Sequence, residues 1–121
     1  MIVDATKDVI FLQIIKDNKS YTNEYSNSRD NFDRIGLIIF DYLKSNNIKL
    51  AEITNIFVNC GPGNFSGIRS SIVTCKAISI SNSIKLYGFD SSQINDKKYN
   101  KVLDLLKKDV LIKDLIKPLY K

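Results

Sequence analysis

The 121-residue chain contains no histidine. That absence constrains its chemistry more than any residue present. It removes Ser–His and Cys–His nucleophile pairs, imidazole acid–base work and most zinc or iron sites. Cysteine is scarce: Cys60 and Cys75 stand alone and match no metal or redox spacing. Both read as small core residues, and a reducing compartment suits them. No run of about 20 apolar residues occurs, so no membrane span is expected. The start of the chain lacks a basic segment followed by an apolar one, so no signal peptide is expected and a cytoplasmic location follows. Alanine and glycine are few, whereas Ile, Asn and Lys are plentiful. That bias is typical of an AT-rich genome, which yields basic proteins with no nucleic-acid role.

What is present fits one domain with one real core. Hydrophobic residues make up 44% and charged residues 26%, which argues against global disorder. The net charge is +5. It permits a phosphate or nucleic-acid partner without demanding one. The lysines are scattered, then concentrate towards the C-terminus without interleaved aromatics.

Three strands are predicted first. Met1 to Asp4 starts apolar and ends in an acid. Val9 to Ile15 is β-branched and apolar, and Asp17-Asn18-Lys19 reads as a tight turn. Tyr21 to Tyr25 alternates, as an edge strand should. A helix is predicted over 30–46, with Asp30 as N-cap and Asp33 three residues on. Ile35, Ile38, Ile39 and Tyr42 form one stripe, but Leu37, Phe40 and Leu43 carry apolar surface far round the cylinder. A helix packed only on a sheet needs a narrower stripe. The excess signals either a second contact or a helix enclosed by its own domain.

Residues 55–60 (NIFVNC) read as a buried strand, 66–81 as a helix and 84–89 as a strand. That helix has two apolar faces, Ile68/Ile72/Cys75 and Val73/Ala77/Ile80. The order is β-β-β-α-β-α-β, an α/β domain with a mixed sheet. Residues 96–115 have apolar residues at helical spacing and predict one or two amphipathic helices.

The stretch CGPGNFSGIR, Cys60 to Arg69, joins strand and helix and holds three of the five glycines. A phosphate cradle is one reading, since a helix N-terminus favours anions. However, the Gly-Lys-Ser/Thr of a P-loop is missing, and the dinucleotide-binding glycine pattern fails by one position. A nucleophile elbow is a second, but Ser66 lacks the flanking glycines and any histidine base. The third is a turn: Gly61 and Gly63 supply positive φ around Pro62, Asn64 or Ser66 caps the helix, and Phe65 folds back as an anchor.

The same residues resemble a known signature. Gly61-Pro62-Gly63-Asn64-Phe65-Ser66-Gly67-Ile68-Arg69 is similar to the Gly-Pro-Gly-Ser-Phe-Thr-Gly-Leu-Arg of the TsaB (YeaZ) family. Asp4-Ala5-Thr6 resembles that family's Asp-Thr-Ser, and Leu86 to Ser92 its strand and Ser-Ser. Asn31 falls where the family usually has histidine. The resemblance implies an actin/Hsp70-like ATPase (ribonuclease H-like) fold with a five-stranded sheet. It places a TsaB-like domain over 1–94 and a short helical remnant with a C-terminal tail over 95–121, as though most of a second domain were deleted.

It further implies a non-catalytic scaffold that pairs with TsaD, the catalytic subunit of tRNA threonylcarbamoyladenosine (t6A) synthesis. A TsaE-like ATPase joins that complex, tRNA is reached through it, and the chain alone forms a homodimer. No cofactor is expected. The partner surface is expected on the first two helices. On the first it comprises Phe32, Ile35, Gly36, Ile39, Phe40 and Leu43; on the second, Ile68, Ile72, Val73, Lys76 and Ile80. Two other readings stay open: an autonomous nucleotide-binding or peptidase-like enzyme using Asp4 and the glycine loop, and a direct tRNA binder using the lysines.

Overall fold

A computed structural model describes residues 1–27, 31, 34–94, 101–109, 111–113 and 116–119. Five strands form one sheet in the spatial order β3-β2-β1-β4-β5. They are β1 (Ile2–Asp4), β2 (Val9–Lys16), β3 (Lys19–Ser26), β4 (Asn55–Asn59) and β5 (Lys85–Phe89). β1 to β3 form an antiparallel meander, and β4 and β5 run parallel to β1. The parallel strands are reached through α1 (Ile35–Ser45) and α2 (Phe65–Asn82). This is the expected order, with β3 at an edge.

Local chemistry explains the elements. The β2–β3 hairpin turns at Asp17 and Asn18, both with positive φ (51° and 64°). Asp and Asn tolerate that left-handed backbone, which two-residue hairpin loops demand. β2 is apolar on both faces because the sheet is covered on both sides. Ile10, Leu12 and Ile14 point under α1 and α2, and Phe11 points the other way. β3 alternates between half-buried Tyr21, Asn23 and Tyr25 and exposed neighbours.

The larger core lies between the sheet and the two helices. It holds Val3, Leu12, Ile39, Tyr42, Val58, Ile68 and Cys75 among others. Tyr42 is fully buried, and its hydroxyl donates to the Tyr21 carbonyl at 2.5 Å. Burial pushes that phenol's pKa up. A smaller core on the opposite face gathers Ile2, Phe11, Phe57 and Phe89 under Ile94, Val102 and Leu111. Val102 belongs to α3 (Lys101–Lys107), the described part of the expected C-terminal helix.

The tail then returns to the sheet. Gly88 and Ile112 exchange two backbone hydrogen bonds at 2.8 and 2.9 Å, and Leu119 N donates to the Cys60 carbonyl at 2.8 Å. The proposed caps Asp30 and Asp33, and interface residue Phe32, lie outside the described residues. The described helix begins at Ile35, and the preceding Arg34 makes no side-chain cap.

Candidate partner surface and the loop that aims it

The glycine motif sits at the C-terminal ends of β1 and β4, where a buried polar network fixes it. Asp4, only 3% exposed, accepts at Oδ1 from the Thr6 backbone N–H (2.9 Å) and hydroxyl (2.6 Å). Its Oδ2 accepts from Asn59 Nδ2 at 3.1 Å. Asn59 Oδ1 in turn accepts from Gly61 N at 2.9 Å and from Ser91 Oγ at 3.1 Å. Ser91 N donates to the Gly61 carbonyl at 2.9 Å, and Asn64 N to the Thr6 carbonyl at 2.7 Å. A buried carboxylate needs such donors, because it has given up water. Asp4 thereby holds the loop to the sheet.

Each motif residue can now be placed. Gly61 has φ 104°, a conformation that side-chain-bearing residues avoid, and its bond to Pro62 is cis. Gly63 does not have positive φ, contrary to expectation. It is needed for space, since a Cβ there would lie 2.6 Å from the Thr6 carbonyl oxygen. The cap is Asn64, whose Oδ1 accepts from Gly67 N at 3.0 Å, and Ser66 is exposed. Phe65 does not fold back as an anchor. It is 53% exposed, with the Arg69 guanidinium 5.1 Å from its ring centroid. Gly67 and Ile68 turn inwards and are buried.

The loop thereby aims α2 along the sheet beside α1. A Cβ added to Gly36 of α1 would stand 3.7 Å from Thr74 Cγ2 of α2, ordinary van der Waals contact. The pair buries one face and leaves the other uncovered. Five of the expected partner residues are thereby corrected. Ile35, Ile39, Leu43, Ile68 and Ile72 are at most 3% exposed and form the chain's own core. They fill the sheet face rather than the outward one. The outward face instead presents Leu37 (58% exposed), Phe40 (49%), Val73 (67%) and Ile80 (82%). Lys76 and Ala77 are exposed with them, and Gly36 is half-buried. Of the first helix's excess apolar side chains, Leu43 is enclosed by the chain's own core, whereas Leu37 and Phe40 face water.

Sequence reasoning gave Asn59 no role. Its signal was a polar residue ending an apolar strand immediately before a glycine turn. The cysteines behave as expected of core residues. Burial raises the pKa of Cys60 to about 11 and that of Cys75 to about 12. Among the described residues, no three His, Cys, Asp or Glu side chains gather into a metal-ligand set. No described helix is long and apolar enough to cross a membrane.

Known proteins share this arrangement. The family model for TsaD, tRNA N6-adenosine threonylcarbamoyltransferase, matches residues 20–95. The tRNA threonylcarbamoyladenosine biosynthesis protein TsaB of Buchnera aphidicola subsp. Baizongia pistaciae (strain Bp) is 32% identical over 78 residues, which cover 64% of this chain and 35% of that protein. YeaZ from Pseudomonas aeruginosa superposes with a TM-score of 0.71 at 14% identity, over 85% of this chain and 48% of that one. A second structure, of a protein with similarity to peptidase YeaZ from Pseudomonas aeruginosa, gives 0.71 at 15% identity, over 83% and 46%. T. thermophilus RuvC in complex with Holliday junction substrate is more distant, with a TM-score of 0.52 at 10% identity, over 96% and 80%.

The chain thus spans about a third of its curated relative and about half of the YeaZ structures. Its mixed sheet with flanking helices is that of the actin-like, ribonuclease H-like ATPase fold. With the signature loop, the sheet order and the family match in agreement, the chain belongs to the TsaD family and is similar within it to the TsaB/YeaZ proteins.

Proposed function

We propose that this chain is a non-catalytic scaffold subunit of t6A synthesis, acting in the cytoplasm through a TsaD-like catalytic subunit. The observation that carries the proposal is the uncovered face of α1 and α2. Large apolar side chains on both helices, among them Leu37 and Phe40 with Val73 and Ile80, stand in water on packed, regular helices. Large apolar side chains exposed on packed helices are the raw material of a protein interface. The signature loop supports the reading, because its polar groups serve to fix α2. A TsaE-like ATPase joins the pair, tRNA is engaged through the assembled complex, and the chain alone can close the face with a second copy.

Mixing the chain with its cognate TsaD-like subunit tests this. A stable heterodimer in size-exclusion chromatography is expected, lost in Val73→Asp while circular dichroism stays native. Absence of any complex at micromolar concentration would refute it. ATP or peptide turnover by the purified chain alone, abolished in Asp4→Ala, would favour the autonomous enzyme instead.

A further inference from the structure

The tail after α3 is fastened both to the sheet and to the signature loop. Ile112 exchanges its two backbone hydrogen bonds with Gly88 of β5. Ile116 is 5% exposed and belongs to the larger core, and Ile112 and Leu119 pack against that core half-buried. Leu119 N donates to the carbonyl of Cys60, the residue that opens the loop. Two glycines make room for these contacts. A Cβ on Gly88 would stand 2.7 Å from Cys60 Sγ and 3.4 Å from both Ile112 Cβ and Ile116 Cγ2. A Cβ on Gly61 would stand 2.9 Å from the Leu119 carbonyl oxygen and 2.8 Å from Ile68 Cδ1. Gly61 thus stands against both the tail and the first turn of α2.

We infer that the tail is a strap that holds the signature loop, and through it α2, in the position a partner meets. Leu119 and Ile116 are then positioning residues for the outward α1–α2 face. The inference rests on the reading of that face as the docking surface, and it adds a distant control over it. The link is mechanical. It runs from Leu119 to Gly61, from Gly61 to Ile68, and from the loop's Asn64 to the α2 backbone at Gly67 N. Releasing the tail takes the Leu119 donor from the Cys60 carbonyl and removes the Leu119 carbonyl from beside Gly61. The loop then has more conformations open to it, and Val73 and Ile80 lose their fixed place relative to Leu37 and Phe40. A surface that must be ordered on binding binds less tightly than one already in place.

Leu119→Pro removes the N–H donor and keeps an apolar residue in the tail. Ile116→Ala loosens the same strap at its core anchor. Cys60 reports on the strap locally, because its sulfur converges with Ile112 and Ile116 on Gly88, whereas Cys75 lies in the core between α2 and the sheet. Each full-length chain is labelled with a disulfide reagent at pH 8, and each thiol is read by peptide mass spectrometry. Pairing with the cognate TsaD-like subunit is titrated in parallel. Both thiols of the parent stay protected. In each variant Cys60 labels at least about tenfold faster without urea, Cys75 keeps the parent's rate, and pairing weakens at least about tenfold. Leu119→Val, which keeps the N–H, behaves as the parent. Equal acceleration at both thiols marks a loosened domain and overturns the inference. Unchanged labelling of Cys60, or faster labelling with unchanged pairing, also overturns it. These results leave the docking surface standing, because the parent still pairs. A parent that forms no complex at micromolar concentration refutes the docking surface itself, and the inference with it.

Discussion

Asn59 and Asp4 meet through one hydrogen bond of 3.1 Å between adjacent parallel strands. The other end of the same amide receives Gly61 N. One side chain therefore couples the end of β1, the end of β4 and the start of the signature loop. Asn59→Leu removes a donor from a buried carboxylate and strips Gly61 N of its acceptor. The expected loss is about 3 kcal/mol, read from urea unfolding. Asn59→Asp is worse at neutral pH, because it places a second carboxylate beside the first. Such a group has a folded pKa raised above its unfolded value of about 3.9. Its contribution is recovered below that unfolded value and lost as pH rises through the folded one. The variant should therefore regain stability relative to the parent on acidification.

Gly63→Ala tests whether the loop needs space or freedom. The new Cβ would sit 2.6 Å from the Thr6 carbonyl oxygen and 2.7 Å from Thr6 Cβ. Backbone at a strand end yields little, so the loop must shift, at an expected cost of about 1–3 kcal/mol. Because Asn64 also hangs on the Thr6 carbonyl, α2 moves with the loop. Pairing with the TsaD-like subunit should weaken even where the melting curve shows a folded protein. An unchanged melting temperature with unchanged pairing would show that the close approach is dispensable.

Much of this fold was legible in the residues. The apolar run of β2, the Asp17-Asn18 turn and the alternation of β3 each carry a local signal, and the order of elements followed from them. The site was less legible. α2 has apolar residues on two faces, and periodicity separates Ile68, Ile72 and Cys75 from Val73, Ala77 and Ile80. It does not say which set meets the sheet. α1 poses the same problem, since the stripe led by Ile35 and Ile39 and the pair Leu37 and Phe40 are equally hydrophobic. Only the packing of β1, β2 and β4 beneath the helices decides. Asn59 was opaque for another reason: its partners Asp4 and Ser91 lie 55 and 32 residues away in the chain.

The two thiols should be silent in the folded protein. Burial raises their pKa values to about 11 and about 12, so little reactive thiolate exists near neutrality. Labelling by a disulfide reagent at pH 8 should follow unfolding, with both sites modified together in urea. Because the folded pKa values lie above the unfolded value of about 8.5, this contribution to stability is complete below that pH. It declines as pH rises towards the folded values. Unfolding midpoints measured from pH 8 to 10 should fall, and less so in a Cys60→Ala/Cys75→Ala double variant.

Charging the helix pair separates core from surface. Ile39 and Val73 are both apolar residues of the helix pair, yet they are 0% and 67% exposed. An aspartate at position 39 would lie among apolar side chains such as Leu12 and Tyr42 with no cation provided. Burying an unpaired charge there costs at least about 4 kcal/mol, a large share of the stability of a domain this size. Ile39→Asp should therefore lose its cooperative unfolding transition, and with it any pairing. At position 73 the carboxylate remains hydrated while the chain is alone, so stability should change by no more than about 0.5 kcal/mol. It is desolvated only when a partner closes over it, and pairing should fall at least about a hundredfold. Circular dichroism melts and titration with the TsaD-like subunit distinguish the two variants. A folded Ile39→Asp protein would contradict the core assigned here, and a Val73→Asp protein that pairs normally would move the partner off this face.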